Sequence, residues 1–137
     1  MKVYKVVTVL PINGRPMVSC RTSAVKPFTS PAVLTYEIGK VTIPYFGLIF
    51  CFRSKRDAIK FAREYKEEST IKILVGVGVP ARKSIVPRTI HISCDIDDMI
   101  DLWKGTGYYN VAGPAPNGTV LMRTFRPLKE VKINWED

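Results

Sequence analysis

Three groups of residues have types and spacings suited to chemistry, and all three suit anions. Arg56, Lys60 and Arg63 recur at helical spacing, with Lys55 and Lys66 near the ends, so one side of a helix would present cations able to grip phosphates. Glu64, Glu67 and Glu68 partly neutralise that face, and Arg63 and Glu67, four positions apart, can pair with each other. Arg82, Lys83 and Arg88 follow a glycine-bearing, strand-like segment in a Pro-bounded loop, the kind of place where binding residues collect. Lys104-Gly105-Thr106-Gly107-Tyr108-Tyr109 combines a cation, flexible backbone, a hydroxyl and two aromatic rings. Backbone N–H groups there could hold a phosphate while Tyr108 stacks on a base. The phosphate-loop pattern G-x-x-x-x-G-K-S/T is absent.

Catalytic chemistry is less well provided for. His91 is the only histidine, flanked by Thr89 and Ser93, and no Ser or Cys nucleophile stands at a known spacing from it. Asp95, Asp97, Asp98 and Asp101 invite a metal, but the calcium-loop pattern lacks its Gly. Helical spacing puts these carboxylates mainly on the solvent side of an Ile96/Met99/Trp103 stripe, so they are expected to form a charged helix face and no metal or other cofactor is expected. Cys20, Cys51 and Cys94 are odd in number and far apart, which suits reduced thiols packed as small hydrophobes.

The elements that must position these groups can be read from periodicity. Lys2 to Leu10, rich in Val and Thr, reads as a strand, and Asn13-Gly14 as a tight turn returning through Pro16 to Thr22. Val33 to Ile38 reads as a further strand, and the apolar Gly47 to Phe52 as a strand buried on both faces. Ser54, with Asp57 three positions on, predicts a capped helix whose Ala58, Phe61, Ala62 and Tyr65 face the core. Thr70 to Val79 alternates, with Gly76 and Gly78 on one side leaving room for something to approach the backbone. Arg88 to Cys94 alternates again, Asp95 can cap a second short helix, and Thr119 to Arg123 and Leu128 to Ile133 close the series as strands. The expected fold is α+β, a mostly antiparallel curved sheet with two short helices in a single domain over residues 1–137.

Composition narrows the partner. Lys and Arg outnumber Asp and Glu by 21 to 12, a formal charge of +9, and four of the acids crowd into Asp95–Asp101, so the remaining surface is more basic still. Such a field draws polyanions and phosphorylated ligands before any specific contact forms. No stretch nears the ~20 apolar residues that cross a bilayer, and Pro11 and Asn13-Gly14 interrupt the only apolar run near the N-terminus. A cytoplasmic protein without a membrane partner is expected, and a homo-oligomer is compatible with the sequence.

Leu34-Thr35-Tyr36-Glu37-Ile38-Gly39-Lys40, then Pro44, Gly47, Phe52, Ser54, Ala58 and Phe61-Ala62, together with Pro116-Asn117-Gly118-Thr119-Val120-Leu121, Leu128-Lys129-Glu130-Val131 and the opening Val3-Tyr4-Lys5-Val6-Val7, resemble small phage and microbial-virus proteins. These are Gly, Pro, aromatic and core positions, so the resemblance implies a shared fold and a viral accessory or counter-defence role in the host cytoplasm, and carries no catalytic residue. Mono-ADP-ribosyltransferases are also small α+β units, but their Glu-x-Glu is missing here. The leading expectation is a non-enzymatic binder of a nucleotide or nucleic acid. The alternatives are a small nuclease or ADP-ribosyltransferase-like enzyme using His91 or Glu37, and an inhibitor that meets an acidic host protein.

Overall fold

Val3, Val6 and Val7 are β-branched residues on both faces of the first strand, and both faces are covered, which is why this segment is extended and central. The computed structural model describes residues 1–9, 34, 36–44, 47–64, 70–81 and 117–133. Within them lie β1 (Lys2–Val9), β2 (Ile49–Phe52), α1 (Lys55–Glu64), β3 (Thr70–Val77), β4 (Thr119–Met122) and β5 (Arg126–Val131). The strands form one antiparallel sheet in the order β4-β2-β1-β3-β5.

The two outer strands of that order are successive pieces of one chain segment, and this bends the sheet. β5 pairs with β3 from Val77↔Arg126 to Ile73↔Val131. β4 meets the continuation of β3: Ala81 N–H donates to the Leu121 carbonyl at 3.0 Å, and Arg123 N–H to the Val79 carbonyl at 2.7 Å. Since β4 also pairs with β2, the hydrogen-bonded ladder closes on itself. The curvature expected from the sequence is therefore carried to closure, which leaves fewer strand edges exposed.

One face of this ring encloses Val3, Val7, Ile49, Cys51, Leu74 and Met122, with Tyr36 and Phe125 edge-on to each other at 5.8 Å. The opposite face carries Val6, Phe52, Ile71 and Ile73, and α1 lies on it through Ala58, Phe61 and Ala62. Phe52 and Phe61 meet at 5.3 Å between ring centres, so the last residue of β2 anchors the helix that follows it.

Three expectations change. Leu34, Tyr36 and Glu37 are not in a strand, and Ile38-Gly39 forms a turn, with Gly39 at a φ of 85°. The segment is held sideways instead: Gly39 N–H donates to the Pro127 carbonyl at 2.7 Å, and Thr42 exchanges backbone bonds with Phe125. Second, the space beside Gly76 and Gly78 belongs to the protein itself. A Cβ on Gly76 would collide with the Arg126 carbonyl and lie 2.8 Å from Pro127 Cα, and one on Gly78 would strike the Thr124 carbonyl. Third, the last strand begins at Arg126 rather than Leu128. One helix is present among the described residues. The hairpin at Asn13-Gly14, the strand Arg88–Cys94 and the second helix after Asp95 lie outside them.

Candidate functional site

The N-terminus of α1 forms as its sequence dictates. Asp57 N–H donates to Ser54 Oγ at 3.2 Å, and the Ser54 hydroxyl donates to Asp57 Oδ2 at 3.0 Å, which caps the helix and engages the one acidic side chain of its first turn. The Asn117-Gly118 turn closes over it: Gly118 has a φ of 79°, a Cβ there would strike the Asp57 carboxylate, and the Gly118 carbonyl accepts from Arg53 N–H at 2.9 Å. Ser54→Ala should cost about 1 kcal/mol of stability. Urea denaturation checks this, and an unchanged midpoint would mean that the cap contributes nothing.

Around this cap the charge is positive. Arg53, Lys55, Arg56 and Lys60 are exposed. Cations in a first turn oppose the helix dipole, so Lys55 and Arg56 are placed at a local electrostatic cost that a bound anion would remove. Of the predicted binding residues, α1 thus brings Arg56 and Lys60 together in solvent. Arg63, predicted on the same face, is half-buried. Arg82, Lys83, Arg88, Lys104 and Tyr108 lie outside the described residues, as does His91.

No family model, curated protein or solved structure matches the chain. The geometry therefore carries the functional reading.

That geometry contains a second basic group, which sequence reasoning missed. Register places Lys2, Val77 and Arg126 in one row across β1, β3 and β5, and Tyr4, Val75 and Lys129 in the next. Simple alternation would put Arg126 and Lys129 on opposite faces. A register shift at Val75/Gly76, where Gly76 faces Pro127 and Val75 faces Lys129, leaves Leu128 as an extra residue and returns Lys129 to the face of Arg126. Lys2, Arg126 and Lys129 are exposed, Tyr4 is half-buried, and Lys2 Nζ stands 6.0 Å from the centre of the Tyr4 ring. The carboxylates whose side chains are described are engaged elsewhere: Glu37 with Lys40 at 3.2 Å, Glu130 with Lys72 at 3.3 Å, and Asp57 in the cap. The sequence signal for this group was weak, since only a bulge brings its members together.

A third grouping is internal. The pairing Tyr4↔Phe52 sets Lys5 beside Cys51, and Lys5 also faces Leu74 across β3, so an amine and a thiol share the enclosed face. Lys5 is only 7 % exposed. Burial lowers the pKa of Lys5 from the ordinary 10.5, with the Cys51 charge working the other way. Burial pushes the Cys51 thiol up from 9.0 to about 12, against an opposing effect of Lys5. A thiol held so high stays protonated at neutral pH and is a poor nucleophile. Cys51 is thus a packing residue, as the sequence suggested. Cys20 and Cys94 lie outside the described residues. Glu37, the alternative catalytic residue, sits exposed on a turn in its pair with Lys40.

Proposed function

We propose that the chain is a non-enzymatic binding protein for a phosphorylated anionic ligand, a nucleotide or nucleic acid, and that α1 is part of its grip. One observation supports this most directly: Lys55, Arg56 and Lys60 are exposed on α1 while the carboxylate of Asp57 is engaged in the cap with Ser54. Exposed cations whose neighbouring described carboxylate is engaged in the cap keep a local field that phosphates can neutralise. The expected second helix after Asp95 and a cytoplasmic location belong to the same reading. So does a viral accessory role, which is supported by the residues of the sequence resemblance.

The test is a titration of labelled nucleic acid, with ATP as the small-ligand arm, across a series of salt concentrations. For a nucleic acid the logarithm of the affinity should fall linearly with the logarithm of salt. Lys55→Glu/Arg56→Glu/Lys60→Glu should weaken either ligand and flatten that dependence. A small nucleotide would show a weaker salt dependence but would raise the melting temperature of the protein. Binding that ignores both salt and the helix variant would rule this reading out.

A further inference from the structure

The second basic group lies at the same end of the sheet as the start of α1. β2 runs antiparallel to β1, Tyr4 faces Phe52, and the chain reaches the cap at Ser54 two residues later, toward Lys2. The row Lys2–Arg126 spans two strand spacings, about 10 Å, and the next row sets Tyr4 beside Lys2 on β1 and Lys129 beyond Arg126 on β5. Val77, in the row itself, is half-buried, and Val79 beyond it is exposed. Val75, in the next row, is buried, and Tyr4 packs partly against the cluster beneath α1. The exposed cations Lys2, Arg126 and Lys129 thus border a half-exposed aromatic ring and the half-buried Val77 on the sheet face that also carries α1.

From this we infer that the face formed by Lys2, Tyr4, Val77, Arg126 and Lys129 seats a single-stranded nucleic acid. The inference rests on the phosphate-binding reading above and adds its ligand class and a site distinct from the outer face of α1. Lys2, Arg126 and Lys129 take backbone phosphates, and the Tyr4 ring takes the face of an unpaired base, the combination that sequence-tolerant single-strand binders use. A duplex keeps its base faces stacked inside, so it would engage the cations and leave the ring unused. Lys2 stands over the ring at a distance where the cation–π attraction is weak, so it can turn to a phosphate when a base arrives. The bulge at Leu128 makes the site possible, because without it Lys129 would point to the other face.

Fluorescence anisotropy with a labelled thymidine oligonucleotide and a matched duplex tests the assignment on the full chain. The wild type should bind the single strand more tightly than the duplex. Lys2→Glu/Arg126→Glu/Lys129→Glu should lower the log–log salt slope for the single strand by about 2, the share of three phosphate contacts. Tyr4→Leu should weaken the single strand about ten-fold with the slope unchanged, and leave the duplex as it was. Because the three cations are exposed, their reversal tests the surface even where Tyr4→Leu loosens the sheet. A row variant that binds like wild type, while the α1 variant loses binding, overturns this site and leaves the phosphate-binding reading standing. Equal or tighter binding of the duplex overturns the single-strand assignment. A wild type that binds neither nucleic acid nor ATP removes the broader reading and this inference with it.

Discussion

Gly76→Ala should lower the unfolding free energy by about 2–3 kcal/mol, as over-packing at a site that cannot yield does. The new methyl would meet the Arg126 carbonyl and Pro127 Cα, both main-chain atoms of the paired strand, so no side-chain rotation can relieve the contact. β5 would have to move away, and with it the pairs Val77↔Arg126 and Gly76↔Pro127. The loss should far exceed the few tenths to one kcal/mol by which Ala in place of Gly restricts the unfolded chain. Urea denaturation would show a lower midpoint with a similar slope. Because β5 carries Arg126 and Lys129, the variant should also weaken any ligand of that face. Stability at or above wild type would mean that β5 does not approach β3 so closely.

Lys5→Met should stabilise the protein at neutral pH by about 1–3 kcal/mol, the range in which burying a polar group acts in proteins. The substitution keeps an unbranched chain of similar length on the enclosed face beside Cys51 and Leu74 while removing the amine. Its pH dependence identifies the cause. The folded pKa of Lys5 lies below the ordinary 10.5, so between these two values the unfolded chain binds a proton that the folded chain resists. Wild-type stability therefore rises with pH through that window and is lost as pH falls toward the folded value. Cys51 acts in the opposite sense and higher up: its thiol titrates at 9.0 when unfolded and at about 12 when folded, so its contribution falls as pH climbs from 9.0 to 12. Cys51 is present in both proteins, so its contribution largely cancels in their difference, and denaturation between pH 7 and 10.5 should show a gain from Lys5→Met that shrinks as pH rises toward 10.5. A gain independent of pH, or a loss, would contradict burial of the amine.

Lys5 also shows where reading the chain stops. The run Val3, Lys5, Val7 reads as one face of β1, but nothing local tells whether that face is enclosed. An ammonium there would ordinarily argue for solvent, and only closure of the ladder through Val79–Ala81 and Leu121–Arg123 puts it inside. The strand expected over Val33–Ile38 fails for a related reason. Its described residues, Leu34 and Tyr36 to Ile38, have the right composition, but they run into the Gly39 turn, and the lateral bonds to Pro127 and Phe125 come from Gly39 and Thr42 beyond them. By contrast, Ser54 and Asp57 make a cap between residues three apart, so the signal and the bonds that realise it are both local.

The glycines of β3 and the basic residues divide in the same way. Alternation placed Gly76 and Gly78 on one side, and the need for space there was legible, but what fills it is main chain some fifty residues later, Arg126 and Pro127 of β5 and Thr124 just before it. The +9 charge was visible at once, and so was the exposed cationic face of α1. Sequence by itself determined the anion-attracting charge, the first strand, the capped helix and the strand residues of the core, because each depends on composition or on neighbours within a few positions. Tertiary structure alone decided the closure of the sheet, the burial of Lys5 beside Cys51, and the row of Lys2, Arg126 and Lys129. Those depend on strand register and one bulge, and register is set by pairing between segments that are distant along the chain.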